Sequence, residues 1–372
     1  MSSFIVPDNG SLGRGFCSAV LRGIEGVNGV YSPSAPEPVG GLQALFDPTN
    51  RDEVQFENLT GRNGSVSQVR VTRLPRGTKA QAVDGSISCT PTTEADYTDE
   101  IVAVTQKASV SFTLTHDQLQ AYCDDALRIE NGLMPTNTFA TVQSIIMSKM
   151  NALRTKINEK VITLLDANRG INIVYNNNNY QTVPMLETAT GAKVELGLQT
   201  ILSDLSFNEV YGRPLVIGHG VFDRFNTSIE AGCCNASGLN WMGMRDSAAY
   251  IYYRDFELGS VTGNNDDILI LRPGWTHFIF YNNTILGKGN GGRFANANVG
   301  LVPDPFVPGL IYDIVIQEET CDNGEFKPTW TVIMYLNYDV SFVPESAFAA
   351  DDRLRTIAGI SNGVFGYTAT TI

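Results

Sequence analysis

Apolar residues at Phe139, Val142, Ile146, Met150, Leu153, Ile157, Val161 and Leu164 recur every three or four positions without a break, the period of one helix face. The spacing predicts a continuous helix over 138–166. Thr136, Asn137 and Thr138, just after Pro135, offer capping groups at its start, and Arg169-Gly170 offers a basic last turn and a stop. About thirty residues at ~1.5 Å rise make a rod of ~45 Å, close to three times an average globular helix. Lys149, Arg154, Lys156 and Lys160 exclude a membrane span and imply one solvated face. A heptad coiled coil is the competing reading, and no second long helix stands in the sequence to pair with it.

Upstream, the period changes to two. Apolar and polar residues alternate over 66–74 and again over 101–114, which predicts two strands. A polar, turn-rich stretch, 75–100, separates them, so the pair reads as a long two-stranded arm with a loose tip. Such a hairpin does not cover both its faces and is expected to lie against a second molecule. Residues 1–60 are rich in Gly, Pro, Ser and Asn, with short apolar runs such as 39–46. They read as an extended arm with little core of its own, ordered on a partner surface.

After an Asn-rich tip at 176–179 the pattern becomes α/β. A short helix is predicted through Val194, Leu198, Ile201, Leu202 and Leu205, and a buried strand at 213–219. A helix through Val221, Phe222, Phe225 and Ile229 comes next, then strands at 250–254 and within 267–281. A last hairpin runs over 310–317 and 330–340, turning at Asp322-Asn-Gly324.

Composition narrows the class. Hydrophobic residues make up 43% and charged ones 17%, the reverse of a disordered chain. The length of 372 residues implies two or three lobes. A formal charge of -13 argues against wrapping nucleic acid, which needs a concentrated basic surface. It suits a protein that stays soluble at high copy number. No signal peptide is expected from the N-terminal residues, and no apolar run reaches the length of a membrane helix. The six cysteines (Cys17, Cys89, Cys123, Cys233, Cys234 and Cys321) are scattered, and the pattern reads as buried thiols in a reducing compartment.

Candidate chemistry is thin. The three histidines are His116, His219 and His277. His219 stands at a strand-to-helix turn, where a catalytic base also occurs, but no nucleophile and orienting carboxylate are marked out beside it. Gly287-Lys-Gly-Asn-Gly-Gly292 superficially resembles a dinucleotide loop, yet the residues after it are turn-like and offer no helix N-terminus. Asn264-Asn-Asp-Asp267 and Asp322-Asn-Gly324 carry oxygen ligands without the spacing of a calcium loop. No catalytic residue, cofactor or metal is expected. One charge pattern does carry information: Arg70, Arg73, Arg76 and Lys79 gather on the first limb of the hairpin, and Glu94, Asp96, Asp99 and Glu100 on its return. Either the two limbs pair with each other, or these eight residues match charges between neighbouring subunits and fix register.

An N-terminal arm, a long two-stranded loop, one long helix, an α/β lobe and a closing hairpin resemble, in that order, the major capsid proteins of tailed bacteriophages, with the Hong Kong ninety-seven-type fold. Local pieces carry the likeness further. Pro214-Leu-Val-Ile-Gly-His-Gly-Val-Phe-Asp-Arg-Phe225 is similar to the strand-helix step of that family's axial domain, and Leu271-Arg-Pro-Gly-Trp275 to the strand link after it. Tyr312-Asp-Ile with Cys321, then Leu336-Asn-Tyr-Asp339 and Phe342-Val-Pro344, looks like the ending of some phage shell proteins.

The resemblance implies an α+β fold with an arm at 1–60 and an extended loop at 61–115. A peripheral domain with the spine helix would occupy 116–171 and 306–345, an axial domain 172–305 and a C-terminal tail 346–372. It also implies a non-enzymatic structural subunit, made in the host cytoplasm and resident in the virion. Such a subunit self-assembles as pentamers and hexamers of an icosahedral shell and encloses DNA without sequence-specific contact. A separate scaffolding protein, a portal and decoration proteins would be its partners, with no membrane involved. The rival readings are an encapsulin-type nanocompartment shell, an α+β enzyme with a long insertion, and a phage tail or head-decoration protein.

Overall fold

The computed structural model describes residues 20, 38–50, 54–59, 68–73, 98–130, 133, 136–188, 190–192, 194–232, 250–282, 298–322, 325–348 and 352–372. Most of the expected arm, the tip of the extended loop and the 287–292 glycine loop lie outside them. The chain divides into two compact units. The first is built from 1–37, 104–157 and 280–338, the second from 38–103, 158–279 and 339–372. The elements in chain order are α1 (Gly40–Leu45), β1 (Val54–Leu59), β2 (Gln68–Arg73), β3 (Thr98–Ala103), β4 (Gln106–Thr115), α2 (His116–Glu130) and α3 (Asn137–Ala167). They continue as β5 (Gln181–Leu186), α4 (Glu195–Phe207), β6 (Leu215–Gly218), α5 (Gly220–Gly232), β7 (Ile251–Arg254), α6 (Glu257–Thr262), β8 (Asp267–Leu271) and β9 (His277–Tyr281). Last come β10 (Asn298–Pro303), β11 (Ile311–Asp322), β12 (Glu325–Ser341), β13 (Arg355–Thr356), β14 (Gly359–Ile360) and β15 (Val364–Thr371).

In the first unit, strands run in the order β10-β11-β12-β4, all antiparallel. β4 closes that order with one dry face: Ala108, Phe112 and Leu114 are buried while Ser109, Ser111 and Thr113 are exposed, the alternation of a strand covered on one side. β11 is buried on both faces from Tyr312 to Ile316. The hairpin of β11 and β12 closes around Asp322 and Glu325, at the turn the sequence marks. α3 begins in this unit, and Phe139, Val142, Ile146, Met150, Leu153 and Ile157 are all sealed from solvent. α2, which the periodicity did not reveal, packs at its start. The Tyr122 ring stacks on Phe139 at 4.7 Å, and its hydroxyl donates to Gln143.

From Asn158 onward α3 belongs to the second unit. Here the buried stripe widens: Val161, Ile162 and Leu165 are sealed, whereas the expected Leu164 is part exposed. A 3.6-residue helix drifts steadily against a three-four repeat, so a long helix changes the face it buries. The helix ends at Ala167, and Gly170 follows where no side chain fits, because a Cβ there would sit 2.3 Å from the Asn362 amide oxygen.

The second unit's main sheet runs β5-β15-β8-β6-β7. β15 is parallel to β5 and antiparallel to β8; β6 is antiparallel to β8 and parallel to β7. Every residue of β6 and β8 is buried. Ile201 and Leu205 of α4, Phe222 and Phe225 of α5, and Val183, Val216, Ile270 and Phe365 of the sheet share one apolar core. Residues 364–371, expected within a tail, therefore sit inside the sheet, and a buried polar chain secures them. The Asn172 amide donates to the Tyr367 hydroxyl at 3.1 Å, the Asn208 amide to Asn172 Oδ1 at 2.9 Å, and the Ser361 hydroxyl to Asn208 Oδ1 at 3.1 Å.

The expected single strand at 101–114 is two strands. β3 pairs with β2 in one sheet, and β4 pairs with β12 in another, with Val104 and Thr105 as the joint. β1, placed by sequence in the arm, completes an antiparallel three-stranded sheet, β1-β2-β3.

Candidate assembly interface

Of the eight charged residues singled out in the sequence, Arg76, Lys79, Glu94 and Asp96 lie outside the described residues. The other four sit on β2 and β3, where the ladder sets Arg70 opposite Ile101, Val71 opposite Glu100, Thr72 opposite Asp99 and Arg73 opposite Thr98. Residues paired across a ladder share a face, so the sheet has two unlike sides. Val69, Val71 and Arg73 occupy the buried side. Arg70, Thr72, Asp99 and Ile101 occupy the other, where the Thr72 hydroxyl donates to Asp99 at 2.6 Å and Ile101 is 56% exposed.

Arg73 is not a surface charge. Its side chain is buried in its own chain: one guanidinium nitrogen donates to the Trp275 carbonyl at 3.2 Å, another to the Ser341 hydroxyl at 2.7 Å. Desolvation pulls its pKa down to about 10 against the favourable charge of Glu100. Glu100 in turn is raised by burial, with Arg73 opposing. Beside them His277 is pushed down to about 4 by burial and then by the Arg73 charge, and its Nε2 lies 2.9 Å from the Gly274 carbonyl oxygen. Sequence reasoning found Arg73 by its charge but missed Ser341 and Asn50. Nothing local distinguishes these two from any other small polar residue.

The segment at 38–50, expected to lie on a partner, is packed within its own unit. Val39, Leu42, Ala44 and Leu45 are all buried. Gly40 and Gly41 allow the approach, because a Cβ on Gly40 would stand 2.6 Å from the Arg254 carbonyl oxygen. A buried carboxylate then gathers the pieces. Asp255 accepts from the Gly41 N–H at 2.8 Å, the Asn158 amide at 2.9 Å and the Glu257 N–H at 2.9 Å, while the Leu42 N–H donates to Asn158 Oδ1 at 3.0 Å. Burial raises the Asp255 pKa, and these donors oppose the rise. Asn50 holds the far end, donating to the Thr276 carbonyl at 2.7 Å and accepting from the Gly274 N–H at 2.8 Å.

The remaining candidates form no reactive constellation. The His116 ring stacks with Trp330, whose indole N–H donates to it at 3.2 Å. His219 meets Phe256 edge-on at 4.4 Å. Asn264–Asp267 is a turn in which Asp266 accepts from the Val221 N–H at 2.9 Å. Cys123 is a free thiol that burial pushes up to about 12. Among the described residues no group of three or more His, Cys, Asp or Glu is placed to hold a metal, and no helix is long and apolar enough to cross a membrane. Exposed apolar side chains are a clearer signal: besides Ile101, the outer face of α4 and the turn after it present Leu196 at 67%, Phe207 at 57% and Tyr211 at 69% exposure.

Across most of its length the chain is similar in structure to capsid chains of bacteriophages, at low sequence identity. The capsid asymmetric unit of cyanophage A-1(L) matches with a TM-score of 0.44 and 10% identity, over 93% of this chain and 96% of that one. The capsid of cyanophage P-SCSP1u matches with a TM-score of 0.41 and 11% identity, over 92% of each chain, and the capsid of Staphylococcus phage Andhra with 0.38 and 8%, over 93% and 88%. No family model and no curated protein matches the sequence.

Proposed function

We propose that this chain is the structural subunit of a self-assembling icosahedral shell, the capsid of a tailed phage, and performs no catalysis. The observation that carries the reading is the three-stranded β1–β3 sheet. It stands apart from the other sheets among the described residues, buries one side and presents Ile101 between Arg70 and Asp99 on the other. Its inner side lies against its own chain, and on the other side an exposed apolar residue rimmed by opposite charges fits a repeated contact with a neighbouring copy. Its place in the chain, before a 31-residue helix and a five-stranded α/β sheet, matches the order that the resemblance implies.

In this reading 116–171 with 306–345 is the peripheral domain and 172–305 the axial domain, so that the first unit holds 116–157 and 306–338 of the one and the second unit holds 172–279 of the other. The copies group as pentamers and hexamers around double-stranded DNA that they do not read. A scaffolding protein, a portal and decoration proteins are the further partners. The test is electron microscopy and sedimentation of the purified chain, alone and co-expressed with neighbouring genes of its source. Closed shells of uniform diameter support the proposal. A chain that remains a small monodisperse particle in every setting overturns it, and shells that enclose a cargo enzyme instead of DNA favour the nanocompartment reading.

A further inference from the structure

We propose that Arg73 is the positioning residue that locks the β1–β3 sheet to the Pro273–His277 turn and so sets where that sheet meets its neighbour. The consequence for assembly rests on the shell reading above; the anchoring itself does not. Arg73 is the last residue of β2, and its guanidinium reaches two segments remote in sequence, the Trp275 carbonyl and the Ser341 hydroxyl. The turn it grips is itself held still. Asn50 binds it from the arm through Gly274 and Thr276, and His277 closes it through Gly274. A fork with two diverging N–H donors satisfies both acceptors at once; a single ammonium on a flexible stem does not. Glu100 sits diagonally across the ladder on the same side of the sheet and answers the buried charge. The sheet thus keeps one side for its own chain, gripped at one end, and leaves the Arg70, Asp99 and Ile101 side for another.

An ordinary core residue would lower the stability of the whole unit when altered, whereas a positioning residue frees one element. The experiment is amide hydrogen exchange on the full-length chain, comparing wild type, Arg73→Lys, which keeps the charge and loses the fork, Ser341→Ala, which removes one acceptor, and the double variant. Anchoring predicts exchange in 68–73 and 98–103 roughly tenfold faster in Arg73→Lys with 215–218 and 267–271 unchanged. It predicts a smaller effect of the same kind in Ser341→Ala, and little further change in the double variant. Shells of Arg73→Lys should be heterogeneous in diameter although the subunit melts near wild type. Unchanged exchange in β2 and β3, or an equal rise across the main sheet, overturns the assignment. If the wild-type chain forms no shells at all, the shell reading fails, and the exchange pattern still decides the anchor.

Discussion

Arg154 and Asp304 face each other with their side chains only 1% and 0% exposed, one guanidinium nitrogen lying 3.1 Å from each carboxylate oxygen. Asp304 also accepts from the Phe306 N–H at 2.8 Å, the Val307 N–H at 3.0 Å and the Tyr312 hydroxyl at 2.8 Å. Arg154 donates to Asn151 and lies over the Phe306 ring at 4.8 Å. The pair therefore ties α3 to the turn before β11 inside the first unit, and its two partners are unequally dependent on each other. Asp304→Ala strands a buried cation and three donors, and should cost about 3–5 kcal/mol. Arg154→Met leaves the carboxylate its three donors and keeps contact with Phe306, so it should cost less. Urea denaturation of dispersed subunits measures both, and equal losses would contradict this division of labour.

Val161 is sealed within the stripe of α3. Val161→Asp buries a charge without a partner, which costs several kcal/mol, roughly 3 or more. The expected outcome is loss of soluble folded protein. A normal melting curve would show that the stripe is not core.

The seat of the 38–50 segment is tight at Gly40. Gly40→Ala drives a methyl against the Arg254 carbonyl oxygen, 2.6 Å away, and overpacking of this kind costs about 1–3 kcal/mol. Limited proteolysis should cut the variant within 38–50 sooner than wild type while the main sheet stays protected. Equal cutting rates would show that the segment is not held there.

His277 gives the subunit an acid-sensitive step. Its folded pKa of about 4 lies below its ordinary value of 6.5, so the unfolded chain binds the proton first. Its contribution is fully present above 6.5 and is lost as pH falls through the window to about 4, by about 3 kcal/mol. Glu100, raised by burial, acts in the opposite sense in acid, and Arg73 stays charged throughout. The check is the difference in stability between wild type and His277→Gln. It should narrow or reverse in favour of the variant as pH drops from 6.5 to 4, and a constant difference would exclude titration of this ring.

Charges on the outer side of the sheet should act on assembly alone. Arg70→Glu leaves the chain folded, since exposed pairs contribute about 0–1 kcal/mol each. On the shell reading the change recurs at every contact, so yield at low salt should fall strongly. In wild type, assembly through these pairs should weaken as the Debye length shrinks to ~8–10 Å and below. Wild-type yield from Arg70→Glu would mark these charges as a solvated face.

Much of the fold was legible because period carries it: α3 lies within a residue of its expected ends, and β6 and the β11–β12 hairpin lie where alternation and turn residues put them. Other features were not. The joint at Val104 and Thr105 is invisible because both flanking strands alternate alike, and only pairing partners separate them. α1 and β1 were lost in a Gly-rich stretch, in which Gly40 allows a close backbone approach. Arg73 was found by charge but misplaced, because a strand's period says that two sides differ, not which side faces its own chain. Arg70 and Asp99 were legible as a pattern of charge, whereas Asn50 and Ser341 matter only through partners more than two hundred residues away.

The place of β15 has a consequence for how the chain is made. Among the described residues β5 joins the main sheet only through Tyr367–Thr371, and that strand is what lies between β5 and β8. During synthesis, domains form as the chain emerges, yet β5 lacks its strand partner until residues 367–371 have left the ribosome. Long-range pairing of this kind is slow to close. The α/β sheet is therefore completed only after every described element between β5 and β15 has been made.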